Sequence, residues 1–358
     1  MVFPFAPVPE SALDDLRARL ALARLDPLPG AEGSSLGTSH DDLVRLVERW
    51  RDGYDWRAAE SRILGLPWQR LAVGSQDHRY LHATAPSRDA PAVVLLHGWP
   101  DSVLRFERLL PLLGDLNVVV PALAGFPFAA PSAPGGSPTS ASMADDVASL
   151  MEALGHSRYA VSAGDVGGDV AEALAVAHPD RVAALHLTNV SPLHAVFADR
   201  SVLDEESLAY VDATMAWARA DGAYIAIQGS RPATVAAALR DSPVGLAAWI
   251  GEKLIDWAGE PLGDDAMLDW ITAYWMTGAI GTSFAKYRDR TPPAPYVATP
   301  TVLSSFPDDL KPAPLSFASR FVNVQEPVEH DRGGHFAAFE RPGDYAADLR
   351  RAIALGGL

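Results

Sequence analysis

Cysteine is missing from all 358 residues. That excludes disulfides, thiolate metal sites and a cysteine nucleophile. Basic residues are scarce beside acidic ones, 29 Lys and Arg against 45 Asp and Glu, leaving a net charge of -16. Such a chain repels phosphate backbones and anionic lipid, so neither nucleic acid nor a membrane is expected as a partner. No run of about 18 uncharged apolar residues occurs, and the opening MVFPFAPVPE has no basic, apolar signal-peptide pattern. The expected location is the cytoplasm. Nothing matches a Walker A loop, a dinucleotide fingerprint or H-E-x-x-H, so no cofactor and no metal is expected. What is present is a chain 48% hydrophobic, long enough for one large domain with a full core and an insertion.

The chain is organised around Tyr159 to Ala171, YAVSAGDVGGDVA. An apolar strand ends there in Asp165, and the small residues Ala163, Gly167 and Gly168 permit a sharp turn into a helix. That is the pattern of a nucleophile elbow, which lifts one side chain above a sheet and turns the next backbone N-H toward an oxyanion. The lifted residue is aspartate rather than serine. A carboxylate suits displacement at saturated carbon and leaves an alkyl ester on the enzyme. A Gly-rich turn whose Asp merely caps the helix would read the same way.

Residues 1–66 read as a helical lead-in. Ser11 with Asp14, and Ser39 with Asp42, resemble capping pairs opening two amphipathic helices. Between them Asp26 to Thr38 is a Pro, Gly and Ser-rich loop. From Trp68 the pattern changes to short strands: WQRLAV and HRYLHATA as an antiparallel pair, then PAVVLLHG, NVVVPALAG, YAVSAG and VAALHLTN as buried runs separated by helices at Ser102 to Leu113 and Ser142 to Leu154. This predicts an α/β fold with a mostly parallel sheet, and ligands in such sheets bind at the carboxyl ends of strands, where Asp165 falls.

LLHGWPDS, Leu95 to Ser102, ends an earlier strand. Its turn can present the Trp99 amide beside that of Val166 as an oxyanion hole, while His97 reads as structural. After the sixth strand, residues 191–296 turn helical and aromatic. They are expected to form a cap, with Trp217, Trp249, Trp257, Trp270 and Trp275 available to line an apolar pocket. The core is expected over 67–190 and 297–358. Strands resume at TPTVLSSFPDD, ending in Asp308 and Asp309, and at RFVNVQEP, leading to RGGHFAAFERP with His335 behind two glycines. The order Asp165, Asp309, His335 is nucleophile, acid, base, with the acid fixing the imidazole tautomer so that His335 activates water. His330, without flanking glycines, reads as a solvated loop residue.

Together HGWP at 97–100, AGDVGG at 163–168, AYIAIQGSRPATVAAALRDSPVGLAAWI at 223–250, YWMTG at 274–278, FPDD at 306–309 and RGGHFAAFE at 332–340 resemble the epoxide hydrolases of the microsomal type. YDWRAAE and its helices resemble that family's N-terminal extension, so the likeness spans nearly the whole chain. It implies an α/β-hydrolase fold with a helical cap after the sixth strand. It also implies Asp165 as nucleophile, Asp309 as acid, His335 as base and Tyr224 and Tyr287 as paired cap tyrosines. Three positions depart: Val166 stands where the family usually has Trp, Asp309 where Glu is common, and GFPFA occupies Gly125 to Ala129. The first widens the pocket; the second makes Asp308 a rival acid.

The chemistry is consistent with those residue types. Opening an epoxide creates an alkoxide, so a neutral phenol must donate to the ring oxygen as the carboxylate attacks carbon. The ester is then hydrolysed and a vicinal diol leaves. The expected partner is a small apolar or aromatic epoxide; its identity, a homodimeric state and a role in detoxification or secondary metabolism stay open. A haloalkane dehalogenase using the same aspartate, or a catalytically silent binding protein, are the alternatives.

Overall fold

Strands buried on both faces read as unbroken apolar runs, and four of the runs above are of that kind. In the computed structural model, which describes residues 3–27, 36–87, 89–131 and 137–358, they build one eight-stranded sheet. Its strands are β1 (Trp68–Val73), β2 (Gln76–Ala83), β3 (Ala92–Leu96), β4 (Asn117–Pro121), β5 (Tyr159–Ala163), β6 (Val182–Leu187), β7 (Val297–Ser305) and β8 (Val322–Glu329). The spatial order is β1-β2-β4-β3-β5-β6-β7-β8. Only the β1–β2 and β2–β4 pairs are antiparallel; the rest run parallel. Every residue of β3, β4, β5 and β6 is buried, as the apolar runs require.

Helices α1 (Glu10–Ala21), α2 (His40–Asp52) and α3 (Trp56–Leu64) precede the sheet; α4 (Ser140–Ala153) and α5 (Val166–Ala177) bracket β5. Between β6 and β7 lie α6 (Leu193–Phe197), α7 (Glu205–Ala220), α8 (Ala223–Ser230), α9 (Pro232–Asp241), α10 (Pro243–Asp256), α11 (Asp264–Thr277) and α12 (Ile280–Ser283), followed by a 3-10 turn, Phe284–Arg288. α13 (Leu315–Ala318) joins β7 to β8, and α14 (Ala337–Glu340) and α15 (Pro342–Leu355) follow. No helix among the described residues is long and apolar enough to cross a membrane.

Several local expectations change. Ser39 does cap α2, accepting from the Asp42 amide at 3.1 Å. Ser11 caps nothing: α1 starts one residue earlier, with Pro9 at its N-cap and no side-chain cap bond. A third helix, α3, joins the two expected; its nine residues are too few for a clear apolar period, and Asp55 caps it on the Ala58 amide. Ser102 to Leu113 forms two short 3-10 segments rather than a helix. Within the loop expected from Asp26 to Thr38, residues 28–35 lie outside the described ones.

His330 is not a solvated loop residue. Its ring stacks on Phe306 with centroids 4.4 Å apart and its Nε2 lies 2.6 Å from Asp348 Oδ2.

Candidate active site

The strand order reverses direction around β3, whose neighbours β4 and β5 follow it in the chain on opposite sides, and ligands in open α/β sheets bind at such a switch point. The loops after β3 and β5 therefore meet. Asp165 sits at the end of β5 with φ 53°, ψ -134°, a conformation costly for a side-chain-bearing residue. The turn is tight enough that a Cβ on Gly167 would lie 2.4 Å from the Leu96 carbonyl oxygen, so residue 167 must be glycine. Gly168, paired with it in the sequence reading, is not under that constraint; a Cβ there meets nothing nearer than 3.8 Å.

The Trp99 amide donates to Asp165 Oδ1 at 2.8 Å, and the Val166 amide also faces the carboxylate. His335 Nε2 stands 3.5 Å from Asp165 Oδ2, an ion-pair separation rather than a hydrogen bond. Its Nδ1 is 2.7 Å from Asp309 Oδ1. Asp309 is buried, whereas Asp308 is exposed and serves the loop through its backbone, its N-H donating to the Gly333 carbonyl at 3.1 Å. The chain turns here, the Asp309 N-H donating to the Phe306 carbonyl at 3.2 Å, and of the two only Asp309 reaches the imidazole.

Burial alone would lower the His335 pKa. The carboxylates of Asp309 and Asp165 outweigh it and push the imidazole up to about 10. Burial would likewise raise Asp165, but His335 and the Trp99 and Val166 amides hold it below the ordinary carboxylate range. At neutral pH these shifts leave an imidazolium facing a carboxylate.

Tyr224, on α8, and Tyr287, on the 3-10 turn, bring their rings to 6.0 Å of each other from the two ends of the inserted segment. Tyr224 also stacks on Trp99, 5.2 Å between centroids at 13°. Burial first, and the Asp165 charge, hold both phenols well above their usual range, so they are neutral donors. Asp165, His335, Asp309, Tyr224 and Tyr287 all line one cavity of about 310 Å³, with Val166 beside them. Trp99 reaches the site through its amide.

Of the five tryptophans expected to line the pocket, Trp217 alone does so. Trp257 packs edge-on to the His335 ring at 5.2 Å, and its carbonyl accepts from the His335 amide at 2.8 Å. Trp270 packs on Phe336 and Phe339 instead, and Trp249 bonds Gln228 at 3.0 Å. His97 is structural as read, buried, with Nε2 accepting from the Leu123 amide at 3.1 Å.

Supporting groups escaped the sequence reading. Buried Asp101 accepts from the Gly98 amide at 2.7 Å and pairs with buried Arg105 at 2.6 Å; Arg105 in turn donates to the His335 carbonyl at 2.5 Å. The Glu340 carboxylate accepts from four amides, Gly259, Glu260 and Phe336 at 2.8 Å and Gly334 at 3.1 Å. One corner of the cavity is charged, with Lys286 3.2 Å from Asp169 and 3.5 Å from Asp289. The signal available was weak: a carboxylate four residues before an arginine in WPDSVLRF, and an acid closing HFAAFE, look like ordinary surface patterns.

Residues 4–106 match the family model described as epoxide hydrolase N terminus, and residues 91–221 that of the alpha/beta hydrolase fold. The protein named "Putative epoxide hydrolase" of Stigmatella aurantiaca (strain DW4/3-1) is 36% identical, over 97% of this chain and 83% of its own length. Epoxide hydrolase 1 of Sus scrofa is 28% identical, over 97% of this chain and 87% of its own. The solved structure of Aspergillus niger epoxide hydrolase superposes with a TM-score of 0.89 at 28% identity, covering 98% of this chain and 94% of that one.

Proposed function

The chain belongs to the epoxide hydrolases of the microsomal type and is an enzyme that hydrolyses epoxides; from that premise we propose that Asp165 is its nucleophile and Asp309 and His335 its hydrolytic pair. Residues 191–296 act as a cap over the site, 1–66 as an N-terminal extension, and 67–190 with 297–358 as the core. One observation carries the reading. The Asp165 carboxylate has one oxygen held by the Trp99 amide and the other turned to an imidazole oriented by Asp309, under two neutral phenols.

In the first step Asp165 Oδ2 attacks an epoxide carbon. The C–O bond of the ring breaks, and Tyr224 or Tyr287 gives its proton to the departing oxygen, so no free alkoxide forms. Asp165 is now a neutral ester. His335 has lost one of the two charges that held its proton, so its pKa falls and the proton returns to the phenolate. The free imidazole then takes a proton from water. Hydroxide adds to the Asp165 carbonyl carbon while the Trp99 and Val166 amides bind the oxyanion; collapse breaks the ester C–O bond, the departing alkoxide takes the proton of the carboxylic acid formed on Asp165, and the vicinal diol leaves with carboxylate and imidazolium restored. The base is in this way armed only when an ester awaits it.

A haloalkane dehalogenase would need side-chain donors for the halide, and Val166 supplies none beside the nucleophile. The apolar wall from α6 to α8, including Leu193, Met215 and Ile225, supports an apolar epoxide substrate. In His335→Gln the first step survives and the second does not. Styrene oxide should therefore leave an adduct on the intact protein that peptide mapping locates at Asp165. Loss of turnover with no adduct would refute this division of labour.

A further inference from the structure

Lys253, on α10, is 6% exposed. Its ammonium stands over the Tyr224 ring, 4.9 Å from the centroid, and 5.7 Å from that of Trp257. Among the described residues its one ion pair is with its neighbour Glu252, a quarter of whose side chain is exposed. Burying an ammonium is costly, and a methionine would fill the same space without that cost. The lysine therefore calls for a reason beyond packing.

The reaction offers one. A cation over an aromatic face is drawn to the electron density of the ring, and a phenol giving up its proton gains density there. The attraction is accordingly stronger when Tyr224 carries phenolate character than when it is a resting phenol, and an interaction that strengthens toward the transition state accelerates the step. Asp165, Trp99, Trp257 and Tyr287, which also face Tyr224, bring no positive charge. The Asp165 carboxylate opposes negative charge on the phenol. Trp99 and Trp257 contribute apolar faces, and Tyr287 favours the phenolate through a hydrogen bond but brings no charge.

We propose that Lys253 is a positioning residue for the alkylation step. Acting through the π face of Tyr224, it strengthens that phenol as the proton donor to the epoxide oxygen. The inference rests on Tyr224 being a donor in the reading above. The balance is unchanged: the Tyr224 proton goes to the ring oxygen as the Asp165–carbon bond forms, and Lys253 keeps all its protons.

Single-turnover kinetics with styrene oxide separate the two steps, rapid-quench intact mass following the rise and decay of the ester. Lys253→Met should slow ester formation about tenfold, which at 1.4 kcal/mol per decade is within the range of one desolvated cation–π contact, and leave ester hydrolysis unchanged. Lys253→Arg, which keeps the cation, should recover most of the loss. The double variant Glu252→Gln with Lys253→Met, leaving no lone carboxylate, should match Lys253→Met. An unchanged ester-formation rate in Lys253→Met, an equal fall in both steps, or no recovery with arginine would overturn the proposal. Tyr224→Phe separates the two levels. If it leaves ester formation unchanged, the donor assignment itself fails; if it slows that step while Lys253→Met does not, only the role of Lys253 fails.

Discussion

Two carboxylates hold one imidazole, and they do so for different purposes. Asp309 bonds Nδ1 at 2.7 Å and Asp165 faces Nε2 at 3.5 Å; in the proposed mechanism the first fixes ring and tautomer, and the second holds the proton only until it is alkylated. Replacing Asp309 with Asn should slow ester hydrolysis by about a thousandfold or more, as loss of the orienting acid does in serine proteases. Asp308→Asn, altering an exposed side chain, should change it little. Single-turnover decay of the ester measures both. Asp165 can be tested apart from turnover. His335 titrates up to about 10 in the resting enzyme because both carboxylates stabilise the imidazolium. Asp165→Asn removes one negative charge, so the His335 pKa should fall; long-range nitrogen NMR of the histidines reads this, and a pKa that stays put would deny the coupling. That Asp165, Asp309 and His335 would meet was legible in the letters, because an elbow, a strand end and a Gly-Gly turn leave local marks. They were not enough to find Arg105 or Lys253, whose meaning lies in burial against distant partners.

At the level of elements, the loop bearing the base is tied to the segment after α10. A Cβ on Gly334 would sit 2.2 Å from the Gly259 nitrogen, so the two backbones touch, and the Glu340 carboxylate bonds amides on both sides of that contact. Glu340→Ala leaves four donors to find water. It should cost about 2–3 kcal/mol by denaturant titration, with ester hydrolysis impaired more than ester formation because the His335 loop is what loosens. The strands of this sheet were legible from unbroken apolar runs and their order of succession. The touching of 257–260 with 333–336 was not, since it depends on how α7 to α11 fold back over the sheet, and no local period encodes that.

For the whole molecule, α2 and α3 grip the inserted helices through charge. Arg49 makes a two-pronged pair with Asp265 at 2.7 and 2.9 Å, on the surface. Asp269 is nearly buried, bonded to Tyr54 at 2.7 Å and paired with Arg62. The two differ in worth. Asp265→Ala should cost under about 1 kcal/mol and less in high salt, whereas Asp269→Ala, which leaves the Tyr54 hydroxyl without its acceptor while Arg62 keeps Glu107, should cost about 1–3 kcal/mol; equal effects in denaturant titration would contradict this. The Arg105 contact with the His335 carbonyl joins residues 230 apart in the chain. Through Asp101 it ties the turn that carries the Trp99 amide to the backbone of His335, so two distant stretches of chain share one buried strut and neither can shift without moving the other.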